Sequence, residues 1–162
     1  MSAVDDYLKR NAEYAQSYDA GLGHKPSRQV AIVACMDCRM DVSALLGLAD
    51  GEAHVLRNAG GVVTDDMIRS LAISQRVLGT QEIMLIHHTD CGMSKSTDDA
   101  FKAAVEADTG IRPSWAAEMF ADADADVRQS IARLKSNPFI PHKDAIRGFV
   151  FDVATGKLNE VL

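Results

Sequence analysis

The chain has 162 residues, 47% of them hydrophobic and 25% charged, proportions of a globular protein that exclude disordered, collagenous and membrane classes. Seventeen Lys and Arg against 23 Asp and Glu leave a net charge of −6. The clustered cations that nucleic-acid phosphates require are therefore missing, and the longest apolar runs fall far short of the ~18 residues that cross a bilayer.

The length fits a single domain over residues 1–162, with residues 1–20 as an N-terminal helical arm. Val4, Tyr7, Leu8, Ala12 and Ala15 recur at helical spacing and predict a helix over 4–18, broken by Gly21, Gly23 and Pro26. Residues 30–34, Val-Ala-Ile-Val-Ala, form a continuous apolar run of strand length, as a strand buried on both faces requires. A short helix over 42–48 and a second strand over 53–56 follow, the latter entering the turn Asn58-Ala59-Gly60-Gly61. Thr64 is positioned to cap a helix that carries Asp65 and Asp66 in its first turn and stops at Gly79. Residues 83–86 are the third buried strand. Helices are expected over 97–106 and 122–135, a fourth strand over 148–153, and a return segment over 158–161. Tyr7, Phe101 and Trp115 are expected as packing residues. Strand alternating with helix implies a three-layer α/β domain. Its central, mainly parallel sheet has at least four strands.

In such sheets ligands bind beyond the carboxyl ends of the strands. The first strand runs out as Cys35-Met36-Asp37-Cys38-Arg39 and the third as His87-His88-Thr89-Asp90-Cys91-Gly92. If these strands are neighbours, Cys35, His88 and Cys91 converge. Two thiolates and an imidazole suit zinc, and three protein ligands leave a tetrahedral position for water. His87 and His88 point to opposite faces of an extended segment, so one of them joins the site. Asp37 and Arg39 form a charged pair where the chain leaves a buried strand.

Cys35-x-Asp37-x-Arg39, followed about fifty residues later by His88-x-x-Cys91, resembles the β-class carbonic anhydrases, the short bacterial and archaeal members above all. Arg57-Asn58-Ala59-Gly60-Gly61, Asp90 and Gly92 extend the match over nearly the whole chain. The resemblance implies one catalytic zinc on Cys35, His88 and Cys91. Asp37 would accept a hydrogen bond from zinc-bound water or take the fourth position in an inactive form, and Arg39 would hold Asp37 off the metal. It also implies a homodimer or tetramer whose N-terminal helix packs on a partner subunit. The expected activity is hydration of CO2 to bicarbonate and a proton by zinc-bound hydroxide. No nucleic-acid or membrane partner is expected.

Three alternatives stand beside it. The same fold and zinc serve hydrolases of carbonyl sulfide or carbon disulfide. Cys35, Cys38, His88 and Cys91 would make a closed Cys3His structural site. Cys35-x-x-Cys38 has the spacing of a redox pair. The start of the chain, Met1-Ser2-Ala3-Val4-Asp5-Asp6, lacks the apolar segment of a signal peptide, and the three cysteines are an odd number. Both features lead to the expectation of a reducing, cytoplasmic setting.

Overall fold

The computed structural model describes residues 2–162. They form one five-stranded sheet in the order β2-β1-β3-β4-β5. The strands are β1 (Val30–Cys35), β2 (Ala53–Asn58), β3 (Glu82–His88), β4 (Ile146–Asp152) and β5 (Lys157–Val161). The first four run parallel and β5 turns back antiparallel on β4. No helix among the described residues is long and apolar enough to cross a membrane.

β1, β3 and β4 are the interior strands, and β1 and β3 are buried over nearly their whole length. Alternate residues serve opposite layers, as the pleat requires. On one face Ala31, Val33, Ile83 and Leu85 meet Ile68 and Leu71 of α3 (Asp65–Arg76) and Leu134 of α5 (Ala123–Ser136). Leu71 is fully buried there, a side chain whose burial contributes ~1.5–3 kcal/mol. On the other face Ile32, Ala34 and Ile86 meet Val42 of α2 (Val42–Leu46), Phe120 and Phe151. Thr64 caps α3 by accepting from the Met67 N–H, with Asp65 and Asp66 in the first turn. Asp98, first residue of α4 (Asp98–Thr109), accepts from the backbone of Ala117, Glu118 and Met119 and so ties down the loop that carries Phe120.

The helix expected over 4–18 is α1 (Ala3–Tyr14); beyond it the chain tightens into three-residue turns, Gln16 N–H to the Glu13 carbonyl and Ser17 N–H to that of Tyr14. α1 buries none of its residues, and Val4, Tyr7 and Leu8 are each 63% exposed. Tyr7 therefore does not pack in its own chain. Phe101 and Trp115 lean on each other with ring planes tilted by 44° and centroids 6.1 Å apart, and Trp115 stays 57% exposed, so this pair lies at the surface rather than in the core.

Candidate metal centre

Because β1 and β3 are hydrogen-bonded neighbours in register, Ala34 opposite Ile86, their carboxyl ends deliver Cys35 and His88 side by side. Cys91 comes back to them through the turn Thr89-Asp90, in which Asp90 adopts the left-handed φ of 54°. The ligand atoms of Cys35, His88 and Cys91 all lie within 4.8 Å of one another, and all three residues are buried. The two sulfurs are 4.0 Å apart. Two Zn–S bonds of ~2.3 Å at the tetrahedral angle would set sulfurs about 3.8 Å apart.

The protonation pattern fits the same ion. His88 Nδ1 lies 2.9 Å from the Thr89 carbonyl, which can only accept, so Nδ1 carries the hydrogen and Nε2 keeps a lone pair. That Nε2 is buried with no hydrogen-bond partner. Burial pushes the Cys91 thiol up, and the adjacent Cys35 adds to the rise. Burial also raises the Cys35 thiol, but the His88 ring and the N–H groups of Asp37 and Gly60 outweigh it and bring it down. Two buried thiols this close cannot both ionise without a cation between them. An orphaned imidazole nitrogen and two such sulfurs are a donor set for zinc.

Asp37 stands beside this cluster. Its Oδ1 accepts from the Arg39 backbone N–H (2.9 Å) and Nε (3.0 Å), and its Oδ2 accepts from Arg39 Nη2 at 2.8 Å. These hydrogen bonds hold the Asp37 carboxyl well below the usual range. Its Oδ2 lies 3.6 Å from His88 Nε2. Arg57 closes the turn from below, donating through Nε to the Cys35 carbonyl (2.9 Å) and through Nη2 to that of Asp37 (2.7 Å). A cavity of about 180 Å³ opens here, lined by Met36, Ala59, Gly60, Gly92 and Met93 together with Cys35, Asp37 and Cys91. A larger groove of about 350 Å³ reaches His88 and Cys91 from the side of Phe120 and Val150, whereas the grooves that border α3 hold none of the three clustered ligands.

His87 turns to the opposite face, as the strand alternation predicts, and its Nε2 lies 2.7 Å from Asp126 Oδ2 on α5. Cys38 is exposed and lies outside the cluster, which separates it from both a closed four-ligand site and a pairing with buried Cys35. The Arg57 clamp was not legible beforehand: its motif was visible, but nothing local showed that its guanidinium reaches two carbonyls of another strand's end.

Known proteins are similar to this chain in sequence and fold. The family model described as carbonic anhydrase matches residues 30–120. Over 161 residues the chain is 61% identical to beta-carbonic anhydrase 1 of Mycobacterium tuberculosis, covering 99% of both chains. A carbon disulfide hydrolase of Saccharolobus solfataricus is 35% identical over 182 residues, 97% of this chain and 88% of that one. The crystal structure of the carbonic anhydrase of Streptococcus mutans superposes with a TM-score of 0.94 at 46% identity, over 100% of this chain and 99% of that one. With the Cys–His–Cys cluster at the ends of β1 and β3, these matches over essentially the full length show that the chain belongs to the β-class of the carbonic anhydrase family.

Proposed function

We propose that the chain hydrates CO2 to bicarbonate and a proton, using one zinc ion held by Cys35, His88 and Cys91. The observation that carries this reading is the buried, mutually close ligand triad with an unpartnered His88 Nε2. When bound, zinc supplies water activated as a nucleophile, with a pKa near ~7. The residues then divide the work. Met36, Ala59, Gly60 and Met93 line a cavity of about 180 Å³, ample for a linear apolar substrate that needs no charged clamp. Asp37, kept ionised by Arg39, offers Oδ2 as hydrogen-bond acceptor for the nucleophilic water. The backbone N–H groups of Gly60 and Met93 favour the ionised sulfurs of Cys35 and Cys91 respectively, tempering their charge.

The test is stopped-flow CO2 hydration on zinc-loaded protein, with carbon disulfide run alongside because of the Saccharolobus relative. Fast CO2 hydration supports the reading; turnover of carbon disulfide alone overturns it. In the same assay Asp37→Ala is expected to lower turnover ~10–100-fold, the usual cost of losing a partner of the metal's ligand sphere, while zinc content stays at one per chain. Cys38→Ala is expected to keep both zinc and activity, since Cys38 is exposed. Loss of zinc in that variant would instead favour the closed Cys3His site.

Assembly belongs to the same proposal. A twelve-residue helix that buries none of its residues is marginal in water; α1 is tied to its own chain by the Tyr14 hydroxyl on Asp50, yet it presents Val4, Tyr7 and Leu8 to solvent. β2 is an open sheet edge. We infer a homodimer in which this arm packs on the partner, working in a reducing cytoplasm that keeps Cys35 and Cys91 as thiols. Sedimentation at micromolar concentration should show at least two chains per particle, and Leu8→Glu should shift the population toward monomer. A wild-type monomer with full activity would contradict this.

A further inference from the structure

The hydrogen bonds of Arg39 do not end at Asp37. Its Nη1 donates to Asp90 Oδ2 at 3.1 Å and its Nη2 to the Asp90 carbonyl at 3.0 Å. Lys95 Nζ donates to the other Asp90 oxygen, Oδ1, at 2.7 Å. The guanidinium is thus gripped on two sides, by Asp37 from its own turn and by Asp90 from the turn that joins His88 to Cys91. Asp90 can stand there because its backbone is left-handed, φ 54°, a conformation aspartate tolerates better than most residues. The same turn buries His88 and Cys91 and leaves the Asp90 carboxylate outside, beside Arg39.

We propose that Asp90, anchored on its outer side by Lys95, is a positioning residue of the site: it holds the Arg39 guanidinium across Asp37 and so keeps the Asp37 carboxylate beside the Cys35–His88–Cys91 cluster instead of on it. This rests on the zinc reading above. Two ligands of one tetrahedral zinc, each at ~2.1 Å, stand about 3.4 Å apart. Asp37 Oδ2 is already 3.6 Å from His88 Nε2, yet Asp37 does not join the group of mutually close ligand atoms. Turned onto the cluster, its carboxylate would supply a fourth ligand in place of water. What opposes that turn is the Arg39 fork. Arg39 keeps 43% of its side chain exposed, and a solvated arginine with one carboxylate partner is a weak restraint. A second carboxylate and a carbonyl fix the plane of the fork from the far side and turn a pair into a network. Lys95 is 64% exposed, so its part is the smaller one.

The test is calorimetric titration of zinc-loaded protein with azide, a linear anion that needs the position Asp37 would occupy. Asp90→Gly removes the carboxylate while keeping the carbonyl and the left-handed turn. It is expected to weaken azide binding about tenfold with zinc content unchanged, and to slow zinc transfer to a chelator because the ion gains a protein ligand. Lys95→Ala should weaken azide binding about twofold. In an Asp37→Ala background, Asp90→Gly should leave azide affinity unchanged, because the carboxylate it releases is gone; a merely structural role would lower affinity in both backgrounds. Unchanged azide affinity in Asp90→Gly, or equal weakening in both backgrounds, overturns the proposal. If Asp90→Gly does not fold, Asp90→Asn tests the same point, since it keeps the turn and loses the charge; azide affinity equal to wild type there also overturns it. Wild-type protein that takes up no zinc removes the zinc reading itself, and is distinguishable because it appears before any variant is made.

Discussion

Cys91→Ser is expected to empty the metal centre while leaving the sheet intact. Cys91 is 3% exposed, and its sulfur sits 4.0 Å from the Cys35 sulfur. Serine fits the space, but its hydroxyl does not ionise at neutral pH and makes a poor zinc ligand. Structural zinc sites bind with ~10–16 kcal/mol, so an equal share among four ligands is about 2.5–4 kcal/mol each, or on the order of 10²-fold in affinity. Elemental analysis after dialysis should therefore find less than about one tenth of the wild-type zinc, and CO2 hydration should fall to the uncatalysed rate. Cooperative unfolding should persist, because the core clusters on either side of β1 and β3 do not depend on this sulfur's charge. One zinc per chain in the variant would remove Cys91 from the ligand set.

The strands and the ligands were legible for different reasons. β1 and β3 announce themselves because a strand covered on both faces has no polar position to break the run. The same criterion cut them short. It stopped at Ala34, Leu56 and Ile86, whereas the strands continue to Cys35, Asn58 and His88, the residues where polarity enters because a site begins. Ligand chemistry at the ends of the apolar runs supplied what periodicity missed.

Less of the surroundings could be read. Arg39 and Asp90 are 51 positions apart, and only the path from β1 through β2 and α3 to β3, which pairs β3 beside β1, brings them together. Arg57 likewise reaches Cys35 and Asp37 from a neighbouring strand. Contacts of that kind depend on which strands pair and in what register, and no local pattern encodes them. The spacing of Val4, Tyr7 and Leu8 predicted a helix with an apolar face but not what that face meets; within the chain it meets solvent. Tyr7 and Trp115 show that aromatic character alone does not place a side chain in a core.

Gly61→Ala is expected to damage fold and site together, and more than its size suggests. Gly61 has φ +70°, and a Cβ there would lie 2.8 Å from the Cys35 nitrogen, 3.0 Å from the Ala34 carbonyl carbon and 3.0 Å from the Ile86 oxygen. Every one of these atoms is backbone, belonging to the two central strands at the point where they deliver Cys35 and His88. None can rotate away as a side chain would. The left-handed conformation costs alanine ~1–2 kcal/mol, and forcing an extra methyl group into a filled space adds ~1–3 kcal/mol, about 2–5 kcal/mol together. Gly47→Ala separates the two contributions. Gly47 has φ +66° and nothing within 4 Å of an added Cβ, so it should lose only the conformational ~1–2 kcal/mol. Urea unfolding of both variants measures the difference. Relief of the clash by parting β1 from β3 would separate Cys35 from His88. Zinc affinity in Gly61→Ala should therefore fall at least ~10-fold, a loss of the order seen when a ligand's supporting contacts go, while Gly47→Ala keeps wild-type affinity. Equal destabilisation of the two variants, with zinc retained in both, would mean that the chain at Gly61 has room to move and that its close approach does not hold the metal ligands in place.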